Sequence, residues 1–203
     1  MKLLTTKDAI QNRRSIRKFK PDPVPKTQLM ELVAAAGLAP SGCNAQPWRF
    51  KIVEDAQTKQ ELAKAAFDQA FVVQAPAVIV CCADLGAYLD GAVSGIQDLG
   101  RIGAVADNHV EIIIKRANAL VTLPVDQLGP QIAFNVAIAI EHMVLRALDF
   151  GLGTCWIRLL DGPAVNDIFG WDDRIYTVAL LPVGFPAEDP APRRRMPLAD
   201  LLL

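Results

Sequence analysis

The chain has 203 residues, 52% of them apolar, and 21 basic against 22 acidic side chains give a formal net charge of −1. That length supports a single domain over 1–203 with a full-sized core, and so balanced a charge argues against the broad basic surface that nucleic acid requires. The apolar fraction is high for a soluble monomer, so burial between subunits of a homo-oligomer is expected.

Residues 6–13 read as a short helix with Thr6 as its cap. The helix runs into Arg13-Arg14-Ser15-Ile16-Arg17-Lys18-Phe19-Lys20, in which five of eight residues are cationic. Such a run can be a solvated face favoured by the helix dipole. A second cluster, Arg193-Arg194-Arg195, opens another reading in which both clusters meet one phosphate. Arginine supplies planar, bidentate donors for phosphate oxygens, and Ser15 adds a hydroxyl. Pro21-Asp22-Pro23-Val24-Pro25 is an extended connector, and a helix follows over 26–37, with Leu29, Leu32 and Val33 on one face and Gly37 closing it.

Ala39-Pro40-Ser41-Gly42-Cys43-Asn44-Ala45-Gln46-Pro47-Trp48 is a loop by composition. It is either an ordinary surface turn or a presenter of Ser41, Asn44 and Gln46 to a ligand, and its lack of charge suits a heterocycle better than a phosphate. A strand is expected over 49–54, a helix over 58–66, and a strand buried on both faces over 77–82. Residues 87–119 are helical in character but interrupted by Gly91, Gly95, Gly100 and Gly103, which fits either a mobile cover or a helical excursion.

The strongest helical pattern covers 131–150, with Ile132, Val136, Ile140, Met143, Val144 and Ala147 at helical spacing. Apolar round most of its circumference, it suits a central helix packed between its own sheet and a partner subunit. Asn135, Glu141, His142, Arg146 and Asp149 interrupt it as a membrane span, and His142 reads as a hydrogen-bonded structural residue. Gly151-Leu152-Gly153-Thr154-Cys155-Trp156-Ile157 begins like a dinucleotide fingerprint, yet it follows a helix and lacks the third glycine. A helix-to-strand turn with close backbone approach is the better reading. A short helix over 164–169, a strand over 175–183 and a proline-rich connector over 186–192 complete the chain before Arg193.

Cys43, Cys81, Cys82 and Cys155 form no CxxC pair and His109 and His142 are far apart, so no metal site is expected and the cysteines read as small buried apolar residues. Met1-Lys2-Leu3-Leu4-Thr5 lacks the apolar stretch of a signal peptide, and a cytoplasmic location is expected, with neither membrane nor nucleic acid as partner.

Four of these segments, in this order, resemble the nitroreductase family of FMN-dependent oxidoreductases. Arg13 to Phe19 resembles the family's N-terminal flavin motif, Pro40 to Trp48 its PSxxNxQPW loop, Gly151 to Trp156 the turn after its long central helix, and Arg193 to Arg195 its terminal basic residues. The resemblance implies an α+β fold with a mostly antiparallel central sheet flanked by helices, an intertwined homodimer, and FMN in the subunit interface. It further implies that Arg13, Ser15, Arg193 and Arg195 hold the FMN phosphate, with Arg14 near the phosphate and ribityl chain and Arg17 near N1 and the C2 carbonyl. Pro40, Ser41, Gly42 and Asn44 would come from the other subunit, while Cys155, Trp156 and Ile157 would line the ring near N5. Gln69 stands as substitute for an asparagine that many relatives carry, and Arg158 lies where some have a glutamate. The implied activity is ping-pong hydride transfer from NADH or NADPH through FMN to a nitroaromatic, a quinone or a similar acceptor, with no catalytic side chain beyond the electrostatic support of Arg17. Reductive dehalogenation, flavin fragmentation and a non-catalytic flavin-binding dimer are the alternatives.

Overall fold

Residues 3–203 are described by a computed structural model. The N-terminal leader reading rests partly on residues 1 and 2, which lie outside the described residues. Four strands, β1 (Trp48–Val53), β2 (Ala77–Asp84), β3 (Gly153–Thr154) and β4 (Ile175–Gly184), form one antiparallel sheet in the order β1-β2-β4-β3. With eight α-helices among the described residues around that sheet, the fold is the expected α+β class.

β2 is apolar and buried from Ala77 to Ala83 because both of its faces are covered. Ala77, Ile79, Cys81 and Ala83 face one core with α2 (Lys26–Gly37) and α7 (Val125–Ala147). Val78, Val80 and Cys82 face a second core shared with α3 (Ala56–Ala65) and α8 (Gly162–Phe169). Strand alternation thus divides one run of seven apolar residues between two layers.

Several boundaries move for identifiable reasons. α1 (Thr6–Asn12) is capped by Thr5 rather than Thr6, the Thr5 hydroxyl accepting from the Asp8 N–H. On α2, Leu29 and Leu32 are buried but Val33 is only half-buried; Ala36 is the third buried residue. α7 begins at Val125, six residues before the expected start, and carries Pro130 within it. Proline normally marks a stop, but here the cap is Pro124, and Pro130 forgoes one backbone bond inside a helix held by tertiary packing. The extended helix is long and apolar enough to cross a bilayer by length and composition, and more than half of that window is buried in the protein's own core.

The glycine-rich region is a helical excursion in which Gly91, Gly95 and Gly100 lie within one helix and the break comes at Gly103. α5 (Leu85–Arg101) and α6 (Asp107–Leu120) pack against each other, with a short turn between them, and α4 (Ala70–Gln74) precedes β2. After α7, Gly151 adopts a left-handed φ of 68° and turns the chain into β3. There Gly153 meets Ile16 so closely that a Cβ would lie 2.5 Å from Ile16 Cγ1. His142 is a structural residue, its Nδ1 lying 3.2 Å from the Ala35 carbonyl oxygen. The four cysteines are free; Cys81, Cys82 and Cys155 are buried, whereas Cys43 is only partly so because it belongs to a loop rather than a core.

Candidate functional site

A cavity of about 550 Å³ opens between the basic stretch and the carboxy-terminal connector. Arg13, Arg14, Ser15, Arg17, Arg193 and Arg195 line it together with Pro190, Ala191 and Pro192. Residues 178 positions apart in sequence, Arg17 and Arg195, therefore border one space. Arg194 is not among the lining residues and is exposed.

The local chain explains the convergence. α1 closes when the Arg13 N–H bonds the Ala9 carbonyl, and Arg14 Nη1 then donates to the Gln11 and Arg13 carbonyls at 2.8 Å. The guanidinium thus covers the negative end of the helix while lining the cavity. The Ile16 N–H bonds the Thr154 carbonyl at 2.9 Å, which anchors Ser15 and Ile16 beside β3. On the other wall, residues 18–20 pair with 185–187 through Lys20 N–H to Phe185 O and Ala187 N–H to Lys18 O.

Charge is left free for a ligand. Among the described residues, no carboxylate lies within 4.0 Å of the Arg17, Arg193 or Arg195 guanidiniums, and Arg13 reaches only Glu141, with Nε 4.0 Å from Oε1. Burial pushes the Glu141 carboxyl above its ordinary pKa, while Arg13 and His142 pull it back. Arg17 also lies over the Phe71 ring, 6.0 Å from its centroid. Five guanidiniums and a hydroxyl around a space within the usual size of small-molecule sites fit a phosphate-bearing cofactor. No group of three or more His, Cys, Asp or Glu side chains among the described residues is placed to hold a metal ion.

Thr154 leads from this cavity to Cys155, Trp156 and Ile157. The Cys155 N–H bonds the Pro182 carbonyl, and Ile157 exchanges backbone bonds with Leu180 at 2.9 and 3.1 Å. Cys155 is buried, and burial raises its thiol pKa against the opposing pull of the Arg17 charge.

The other expected residues lie outside the cavity in one copy of the chain. Gln69 donates from Nε2 to the Ala66 and Leu159 carbonyls at 2.9 and 3.1 Å, so its amide ties the turn before α4 to the segment after Ile157. Pro40, Ser41, Gly42 and Asn44 belong to a separate loop. Ser41 Oγ accepts from the Gln46 N–H, and the Gly42 N–H donates at 3.0 Å to Oδ1 of Asn135, a buried residue of α7. Asn135 and Glu141 are six residues apart, about 9 Å along the helix and about 120° apart around it, so α7 holds loop and cavity on different sides.

Three residues of that loop other than glycine, Cys43, Asn44 and Gln46, have left-handed φ values of 51°, 55° and 50°. Each costs about 1–2 kcal/mol, so packing must hold them. α5 supplies it. A Cβ on Gly95 would lie 1.7 Å from the Cys43 carbonyl oxygen, and one on Gly91 would lie 2.6 Å from that of Ala45. Gly91 and Gly95 thus serve close packing, with Gly100 likewise seated on Val110, whereas Gly103 has open space around it and a left-handed φ of 72° in the turn after α5. Asn135, a buried polar side chain in the long apolar helix α7, was the available sequence signal for this support.

The nitroreductase family model matches residues 10–185, ending just before the connector that bears Arg193 and Arg195. An NADH dehydrogenase of Thermus thermophilus is 32% identical, covering 99% of this chain and 96% of its own. An iodotyrosine deiodinase of Thermotoga neapolitana is 26% identical across 92% and 90%. Among solved structures, an assigned nitroreductase from Exiguobacterium sibiricum in complex with FMN superposes with a TM-score of 0.79 at 25% identity, covering 100% of this chain and 98% of its own.

Proposed function

The chain belongs to the nitroreductase family, and from that premise we propose that it is an FMN-dependent oxidoreductase drawing electrons from NADH or NADPH. The observation that carries this reading is the cavity where two distant arginine clusters meet without a competing carboxylate. FMN, when bound, supplies hydride acceptance and donation; the protein supplies binding, orientation and charge.

Arg13, Ser15, Arg193 and Arg195 are assigned to the phosphate, and Arg14, partly engaged with the end of α1, to the adjoining ribityl chain. Arg17 is assigned to the ring's N1 and C2 carbonyl, where a fixed cation stabilises negative charge that develops during the reaction. Cys155, Trp156 and Ile157 are assigned to the ring's lining. Any contact from Gln69 uses its carbonyl oxygen, because its two amide hydrogens already have acceptors.

Pro40, Ser41, Gly42 and Asn44 are assigned to the cofactor of a second copy, since α7 separates them from the cavity of their own chain. The resulting homodimer is supported by apolar surface exposed in one copy. Phe134 on α7 is 62% exposed, and Leu198, Leu201 and Leu202 of the tail are likewise open. A single domain over 1–203, acting in the cytoplasm where reduced nicotinamide is supplied, completes the reading.

Donor and acceptor are assigned to one place in turn, with a nitroaromatic or a quinone as acceptor. Initial rates at several NADH concentrations and several concentrations of a benzoquinone are expected to give parallel double-reciprocal lines; intersecting lines contradict the shared place. Reductive dehalogenation is the second reading, supported by the similarity to the deiodinase. Iodotyrosine turnover without quinone or nitroaromatic turnover selects it. Loss of flavin in air selects fragmentation, and bound FMN with no turnover selects a binding role.

A further inference from the structure

Glu188 has no part in the roles assigned above, yet it stands where the two segments forming the cavity are joined. The antiparallel pairing of 18–20 with 185–187 ends at Ala187. Beyond it Pro190 and Pro192 have no N–H with which to continue a ladder. At that point the Glu188 side chain takes over: Oε1 accepts from the backbone N–H of Arg17 at 2.6 Å and of Lys18 at 3.1 Å. Two successive backbone donors converge on one carboxylate oxygen, and such charge-assisted bonds are about twice as strong as neutral ones. Lys18 is consequently gripped from both sides, through its N–H by Glu188 and through its carbonyl by Ala187. Two residues after Glu188 the connector becomes the cavity wall.

We propose that Glu188 is a positioning residue that locks the carboxy-terminal connector onto the basic stretch and so fixes Arg193 and Arg195 opposite Arg17. A carboxylate beside a phosphate site opposes anion binding through space, which makes its presence informative. If its role were electrostatic alone, removing the charge would tighten binding. If it is the clamp, losing the acceptor oxygen loosens the cavity.

The inference rests on the FMN reading, and the test separates the two. Full-length wild type, Glu188→Ala, Glu188→Gln and Glu188→Asp are titrated with FMN and with riboflavin by flavin fluorescence, and amide exchange is followed over residues 15–20 without flavin. Glu188→Ala is expected to weaken FMN binding about tenfold. It should lower the preference for FMN over riboflavin and speed exchange at Arg17 and Lys18. Glu188→Gln, which keeps an acceptor oxygen, is expected to stay within about threefold of wild type, and the shorter Glu188→Asp to bind less tightly than Glu188→Gln. Wild-type or tighter binding by Glu188→Ala, equal losses for FMN and riboflavin, or equal weakness of Glu188→Gln and Glu188→Ala overturns the clamp. Should Glu188→Ala fail to fold, the order of Glu188→Gln and Glu188→Asp decides. Should wild type bind no FMN, the functional reading fails, while the exchange rates still support or overturn the clamp.

Discussion

The basic stretch at 13–20 and the polar loop at 40–48 are both irregular, but they are held in opposite ways. The first is fastened through its backbone, by Thr154, Phe185, Ala187 and Glu188, which leaves its guanidiniums largely unpaired. The second is fastened by steric fit, with left-handed residues pressed against the bare backbone of α5 and one amide bonded to buried Asn135. The contrast teaches that charge held ready for a ligand needs a scaffold that does not consume it, whereas a strained loop needs close packing. Substitutions should therefore separate stability from binding.

The largest effect is expected at Gly95. Alanine normally stabilises a helix interior relative to glycine by about 1 kcal/mol. Here the added Cβ meets the Cys43 carbonyl, and Gly95→Ala should instead cost about 3 kcal/mol in denaturant unfolding. Gly37→Ala, whose Cβ has open space, is the control and should be neutral or slightly stabilising. A stable Gly95→Ala protein breaks the comparison.

Next comes the cavity. Replacing Arg193 and Arg195 together by alanine should raise the FMN dissociation constant about 100-fold while leaving unfolding of the flavin-free protein little changed, since the lost contacts are charge-assisted bonds to a ligand. Equal losses in both assays contradict the division between ligand-ready charge and structural packing.

Asn135→Ala should cost about 1–2 kcal/mol by leaving the Gly42 N–H without its acceptor. Calorimetry of the flavin-free protein checks it, and an unchanged midpoint removes Asn135 as the loop's anchor.

The smallest effect concerns Glu141. Its folded-state pKa is raised above the ordinary 4.5, chiefly by burial. The folded protein thus holds that proton more tightly than the unfolded chain. Its contribution is fully present below the unfolded pKa and is lost as pH rises through the folded value. Relative to Glu141→Gln, wild-type stability should decline over that window by less than about 1 kcal/mol, because half of the side chain faces water. A rise over the same window contradicts burial as the dominant cause.

Legibility in the sequence follows the same division. The apolar run of β2, the helical period of α7, the turn at Gly151 and the two arginine clusters are local patterns, and their places in the fold agree with them. What the sequence concealed lies in contacts between distant residues. The fit of Gly95 against Cys43 and the bond from Arg17 to Glu188, 171 residues away, carry no periodicity or composition that marks either partner. α7 starts six residues before the expected helix and runs through Pro130, where a local rule about proline yields to tertiary packing. The separation of the polar loop from the cavity likewise becomes visible only once α7 sets them on different sides.

Reduction of a bound flavin by nicotinamide is read from the absorbance spectrum of the purified protein, recorded without oxygen before and after adding NADH or NADPH. A yellow protein that bleaches with either donor is the expected result. A colourless protein that takes up no added FMN, or a yellow one that neither nicotinamide bleaches, contradicts it.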